Sequence, residues 1–375
     1  MQNITERENL FKAAERDLRF DAQFYRLGDQ FTDLPADLAE VNVIDVTKIP
    51  GCHYAVRNVF VPIIHHLELK GVRVGEERFQ VNPDTSILVE PSTGNGWTAF
   101  SDAASYLGYE HVVVMPDGLP EARYKHPLGR KVEIIKTPTE DYALGMPRQM
   151  ANMVVYDNID RAKRGEKIYV SPNHAVSASD IAVEAMSEIG RQLLANLDGS
   201  DDPLRVVISM GNGASLCSIG EYVKKHREDT RVVATESFNF GGGYDRFAKI
   251  KDLPGYQELF GIEPGNSDLM AKFSTYGTNA PIGIELPLQT RAINGELIDK
   301  YALFTDSPVL RAYEKLQPGE RCLNNAYKLP KYDRLPRVLY ERYGNSTLAN
   351  IAVASKFTVN GEQVVAMAYD GRENY

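Results

Sequence analysis

Short runs of β-branched and other apolar residues alternate along the chain with longer stretches whose apolar positions recur every three or four residues, and the alternation continues almost to the C-terminus. The runs predict strands at 41–46, 86–89, 111–115, 132–135, 167–170, 204–209, 232–235 and 363–366. Several are apolar on both parities, as strands covered by helices on both faces must be. Most are followed by a turn containing Gly, Pro or Ser and then by a helix-compatible segment, at 62–70, 98–107, 178–196, 217–226, 308–315 and 347–357. Another helix opens the chain: Thr5 and Glu8 stand in capping-box spacing ahead of the apolar stripe Leu10, Phe11, Ala14 and Leu18. The order of elements predicts an α/β protein with mostly parallel sheets flanked by helices. The polar, turn-rich segment 197–203 marks the expected boundary between an N-terminal half, 1–197, and a C-terminal half, 198–375.

Composition narrows the picture. With 43% hydrophobic and 25% charged residues, the 375-residue chain is globular, which excludes fibrous and disordered classes. Lys and Arg number 42 against 51 Asp and Glu, a formal charge of -9, and no basic stripe overrides that balance; nucleic acid is not an expected partner. No apolar run reaches the roughly 18 residues of a membrane helix, and the first residues lack the apolar stretch of a secretory signal, so a cytoplasmic protein with no membrane partner is expected. Cys52, Cys217 and Cys322 are scattered and form no C-x-x-C pair, which argues against a disulfide framework or a zinc site.

Two strand-to-helix turns carry the candidate chemistry. Glu90-Pro91-Ser92-Thr93-Gly94-Asn95-Gly96 offers two glycines for close approach, two hydroxyls and an amide, just before a predicted helix whose first N–H groups suit an anion. Gly211-Asn212-Gly213-Ala214-Ser215 repeats the design after the strand 204–209. Such turns lie at the carboxyl ends of parallel strands, where open α/β folds bind ligands. Neither is a Walker loop and neither completes G-x-G-x-x-G. Together they suggest one site for a carboxylate and one for a phosphate; the plainer alternative is two tight turns that need glycine for their geometry.

These loops resemble those of the fold-type-II pyridoxal-phosphate enzymes, specifically the cysteine synthase and cystathionine β-synthase group. The first loop is similar to that group's E-P-T-S-G-N-T-G segment, and His111-Val112-Val113-Val114-Met115-Pro116-Asp117 continues in register. Met210-Gly211-Asn212-Gly213-Ala214-Ser215 is similar to the G-T-G-G-T phosphate loop, and the tail 364–371 resembles the group's closing strand and turn. The resemblance implies a two-domain, tryptophan-synthase-β-like fold with a cleft between its halves, pyridoxal phosphate as cofactor, a small amino-acid substrate, lyase or β-replacement activity and a homodimer. It also implies residue roles. Ser92, Thr93 and Gly94 would hold a substrate carboxylate, and Asn95 would bond the cofactor's phenolic oxygen. Gly211, Asn212, Gly213, Ala214 and Ser215 would cradle the phosphate, and Asp370 would face the pyridine nitrogen, where its charge would favour a pyridinium; the plainer alternative for Asp370 is a solvated turn residue before Gly371.

One departure matters. The family's Schiff-base lysine lies in a segment like N-P-x-x-S-x-K-x-R; here Ile49-Pro50-Gly51-Cys52-His53-Tyr54-Ala55-Val56-Arg57 keeps the proline and the arginine but has Ala55 at the lysine position. Alanine forms no Schiff base and moves no proton. Four explanations stand: an engineered substitution; a slipped alignment in which Lys48 or Lys70 is the lysine; non-covalent use of the cofactor with His53, Tyr54 or Cys52 as acid, base or nucleophile; or a catalytically silent, repurposed relative that binds an amino acid or phosphorylated ligand. Elsewhere, His65-His66 lacks the spacing of a helical metal pair. Gly241-Gly242-Gly243 suits a plain connection or a lid, and Trp97 suits the core or a pocket wall.

Overall fold

A computed structural model describes residues 4–18, 22–47, 57–92, 96–119, 121–126, 129–138, 142–197, 202–237, 241–260, 286–304, 335–358 and 361–369. Lys48, Cys52, His53, Tyr54, Ala55, Thr93, Gly94, Asn95, Asp370 and the predicted helix 308–315 lie outside them. The described strands are β1 (Gln23–Arg26), β2 (Asn42–Asp45), β3 (Val72–Val74), β4 (Glu77–Phe79), β5 (Ser86–Pro91), β6 (Glu110–Pro116), β7 (Glu133–Thr137), β8 (Ile168–Val170), β9 (Leu204–Ser209), β10 (Thr230–Ser237), β11 (Lys300–Phe304) and β12 (Gln363–Ala368).

The chain divides into two compact units, one of residues 1–21 and 48–186, the other of 22–47 and 187–374. In the first, β7-β6-β5-β8 form a wholly parallel sheet, and β3 and β4 a separate antiparallel hairpin. Val112–Met115 of β6 are buried on both parities, as the central strand of a covered sheet should be. Val89, Val112 and Val114 pack with Met150 and Met153 from the helical stretch that follows β7. The helix Gly96–Tyr106 buries Trp97, Ala99, Phe100, Ala103 and Ala104, and Phe100 meets Phe60 of the helix Arg57–Lys70 edge to face at 5.4 Å. Arg7 of the opening helix Ile4–Asp17 pairs with Glu68 and donates to the Leu107 carbonyl at 2.8 Å, which ties three helices together.

The second unit is built on the six-stranded sheet β1-β2-β12-β9-β10-β11, parallel except for the antiparallel pair β1 and β2. Every residue of β9 is buried, including Arg205, whose guanidinium is matched by Glu362. Val207, Val233, Ala366 and Ile351 belong to one core under the helix Asn345–Ala354. The segment 22–47 belongs to this unit because β2 pairs in parallel with β12, so the chain passes between units near residues 21, 47 and 186, where the sequence reading expected one passage at 197–198.

Two further differences have local causes. The predicted helix 62–70 starts at Arg57, with Pro62 inside it. Pro62 forfeits one helical hydrogen bond, which the burial of Val59, Phe60, Val61, Ile63 and Ile64 around it offsets. Strands β1, β3, β4 and β11, of three to five residues each, carry charged or polar residues among their apolar ones and so show no apolar run in the sequence.

Candidate active site

The loop Gly211–Ser215 begins where β9 ends, at the carboxyl edge of the parallel sheet, and turns directly into a helix from Ala214 that contains a π-helical stretch, Leu216–Gly220. Such stretches recur at functional sites. Gly213 adopts φ 92°, and a Cβ built on it would stand 2.5 Å from the backbone of Leu288 and Gln289, so conformation and packing both require glycine. A Cβ on Gly211, in contrast, would meet no atom within 4 Å. Asn212 Oδ1 accepts the Ala214 N–H at 2.9 Å, and Gln289 donates to the Gly211 carbonyl, so the loop's shape is fixed from both ends. These features fit a phosphate: small residues that admit it, a hydroxyl at Ser215, no acidic side chain in the loop, and the positive dipole end of a helix.

A buried polar network beneath the loop escaped the sequence reading. Asn350, on the helix Asn345–Ala354, is fully buried; its Oδ1 accepts from Ser209 at 3.0 Å and Thr235 at 2.7 Å, and its Nδ2 donates to the Met367 carbonyl at 2.9 Å. The Tyr369 hydroxyl accepts the Ser209 N–H at 3.2 Å, while the Tyr369 N–H donates to Thr347 at 3.0 Å. One side chain thus locks the carboxyl ends of β9, β10 and β12, the last leading to position 370. In sequence, Asn350 is one of two amides in the helix Asn345–Ala354, and nothing in its spacing announces this role.

In the other unit, Ser92 follows β5, its N–H bonded to the Val114 carbonyl at 3.0 Å, next to the start of the helix Gly96–Tyr106. Trp97 is 2% exposed and meets the His126 ring edge to face, which makes it a core residue. His65 stacks on Phe11 at 4.4 Å and reaches Glu8 at 3.2 Å. Glu236, at the end of β10, accepts the N–H groups of Gly243 and Tyr244 at 3.2 and 3.0 Å, so the start of the helix Gly242–Ile250 is anchored as a structural connection. Burial pushes the Cys217 thiol up to about 12, and Sγ points at the Leu288 carbonyl at 3.2 Å. The thiol is neutral at pH 8 and enclosed, so alkylation of the folded protein followed by peptide mass mapping should find Cys217 unmodified.

The described residues hold no His, Cys, Asp and Glu group suited to a metal ion and no helix long and apolar enough to cross a membrane. The sequence profile of a family described as "Pyridoxal-phosphate dependent enzyme" matches residues 69–317. Cystathionine beta-synthase of Saccharomyces cerevisiae is 23% identical over 167 residues, 44% of this chain and 32% of that protein. A probable cysteine synthase of Bacillus subtilis is 25% identical over 190 residues, 48% of this chain and 53% of that one. The match therefore spans about a third to a half of these relatives' lengths. The crystal structure of an O-acetylserine dependent cystathionine beta-synthase from Helicobacter pylori superposes over 100% of this chain and 98% of its own, with a TM-score of 0.64 at 15% identity, which establishes the shared fold.

Proposed function

Because the chain belongs to the pyridoxal-phosphate-dependent enzyme family, we propose that it binds this cofactor and acts on a small amino acid in lyase or β-replacement chemistry, as a cytoplasmic homodimer similar to cysteine synthase. The observation that carries the reading is the Gly211–Ser215 loop: a glycine at φ 92° and an unobstructed Gly211, set at the start of a helix. When bound, the pyridoxal ring draws electrons from the bonds at an amino acid's α-carbon, which permits loss or exchange of its β-substituent.

The chain's own residues divide the remaining work. Gly211, Asn212, Gly213, Ala214 and Ser215 bind the phosphate through N–H groups and a hydroxyl; Ser92, Thr93 and Gly94 orient the substrate carboxylate. The Asn95 amide donates to the ring's phenolic oxygen, and Asp370 holds a proton on the pyridine nitrogen by charge pairing. With alanine at position 55, covalent anchoring falls to Lys48 or is dispensed with, and His53 or Tyr54 then moves the proton at the α-carbon. Ala55 also favours a second reading, a lysine-less relative that binds an amino acid or phosphorylated ligand without catalysis.

Absorption spectra of the purified protein with added pyridoxal phosphate, before and after borohydride, with intact-mass analysis, test this. A reduced adduct assigns the Schiff base to a lysine, Lys48 first. A shifted chromophore with no adduct supports non-covalent holding. Absence of any binding overturns the cofactor reading and leaves the second one.

A further inference from the structure

One side chain from outside the Gly211–Ser215 loop meets it and is only half used. Gln289, 1% exposed, lies in the first turn of the helix Pro287–Asn294, and its Nε2 donates to the Gly211 carbonyl. Its Oε1 is enclosed and has no hydrogen-bond partner among the described residues. A buried acceptor in that state loses its hydration without compensation, and an apolar side chain of the same length would avoid the loss. Packing alone gives no reason for an amide at this position, which leaves its bond to Gly211.

The amide is firmly mounted. The Cys217 thiol donates to the Leu288 carbonyl at 3.2 Å, Arg246 donates to the Thr290 hydroxyl at 2.7 Å, and Arg291 pairs with Glu221 at 2.6 Å, so three contacts tie down the helix that carries Gln289. Within the loop, the Gly213 carbonyl accepts the Cys217 N–H at 2.9 Å and the Ala214 carbonyl accepts the Ser218 hydroxyl at 2.7 Å, both inside the helix that follows. The Gly211 carbonyl precedes that helix, out of reach of its N–H ladder, and Gln289 takes it instead. Across a planar trans peptide the N–H points opposite to the C=O, so fixing the Gly211 oxygen toward Gln289 turns the Asn212 N–H to the other side. Glycine at 211 permits the reverse rotation, which would carry the oxygen to that side.

We propose that Gln289 is a positioning residue that sets the polarity of this loop: by holding the Gly211 carbonyl on its own side, it keeps that oxygen from facing a bound phosphate, and the loop receives an anion. Rotated the other way, the negative end of the peptide dipole would confront the phosphate oxygens and repel them. The peptide is oriented before a ligand arrives, so binding includes no cost for turning it. The inference rests on the reading that residues 211–215 hold a phosphate; it involves neither the Schiff-base position nor the first glycine-rich turn.

The test uses the full chain, with pyridoxal phosphate and inorganic phosphate as separate probes. Gln289→Met keeps the length of the side chain and removes both polar ends, whereas Gln289→Glu keeps the shape and replaces the donor by an acceptor. Denaturation midpoints are measured without ligand, affinity for pyridoxal phosphate by absorbance, and affinity for phosphate by ³¹P NMR titration. Gln289→Met is expected to unfold at or above the parental midpoint, because the unpaired Oε1 is gone and water can reach the half-buried Gly211. Both probes are expected to bind it roughly tenfold more weakly, the equivalent of one lost hydrogen bond to a charged group, and Gln289→Glu more weakly still. A glutamine with a merely structural role would lose stability and affinity together. Parental affinity in either variant, or a midpoint of Gln289→Met that falls along with its affinity, overturns the proposal. The two readings fail separately. A parent chain that binds inorganic phosphate in a Gln289-dependent way but not pyridoxal phosphate sinks the cofactor reading and upholds this one; a parent that binds neither sinks both; and normal loading with an unaffected Gln289→Met sinks this one alone.

Discussion

Gly213→Ala is expected to abolish retention of pyridoxal phosphate and to destabilise the fold by roughly 3 kcal/mol. An L-residue in the left-handed region costs about 1–2 kcal/mol, and a methyl group forced into a packed site costs about 1–3 kcal/mol more. The overlap cannot be relieved by rotating a side chain, because the atoms 2.5 Å from the new Cβ are the backbone of Leu288 and Gln289. Those residues open the helix Pro287–Asn294, so the start of that helix or the phosphate loop itself must move. Gly211→Ala separates the two effects. Its methyl would meet nothing within 4 Å, so stability is expected to stay within about 0.5 kcal/mol of the parent. If the loop holds the cofactor's phosphate as proposed, the same methyl would intrude on it, and affinity is expected to fall at least about tenfold, the equivalent of one lost hydrogen bond to a charged group. Chemical denaturation and cofactor titration on both variants check this. Unchanged affinity in both would remove the loop from the cofactor site.

The parallel sheets were legible because a strand covered on both faces leaves an uninterrupted apolar run. Residues 204–209 and 111–115 stand out for that reason, and β9 and β6 occupy those places. The two candidate turns were picked out because in both a glycine-rich, hydroxyl-bearing segment falls between a strand and a helix, and the structure sets Ser92 directly after β5 and Gly211–Ser215 directly after β9. Less visible was whatever depends on pairing between distant segments. Asp45 is 1% exposed, accepting the Tyr25 hydroxyl and the Thr47 N–H and facing Arg342, yet its neighbours in sequence do not mark it. The same holds for Glu90 and His174, which are 84 residues apart and meet only because β5 and β8 are neighbours in the sheet. Their partnership is a product of topology, and a pattern read along one dimension has no means of expressing it.

Asn350→Leu is expected to destabilise the second unit by about 3 kcal/mol, lowering its melting temperature by roughly 10 °C. The substitution matches the side chain in size but removes two acceptor contacts and one donor contact at a site with no solvent. Each buried partner left unpaired costs about 1–3 kcal/mol, and the Met367 carbonyl has no ready substitute for the lost N–H. Ser209 and Thr235 lie 3.3 Å apart and can bond each other, which lowers their share of the cost. Thr235→Val removes a single hydroxyl from the same network and is expected to cost only about 1 kcal/mol. The functional consequence follows from what the amide joins. Ser209 is two residues before Gly211, and Met367 is three before position 370, so loosening Asn350 loosens the phosphate loop and the turn assigned to the pyridine nitrogen at once. Cofactor affinity should therefore fall in Asn350→Leu even though residue 350 is assigned no contact with the ligand. Equilibrium denaturation paired with cofactor titration reads both effects; a variant of parental stability would show that the three strand ends are held by packing alone.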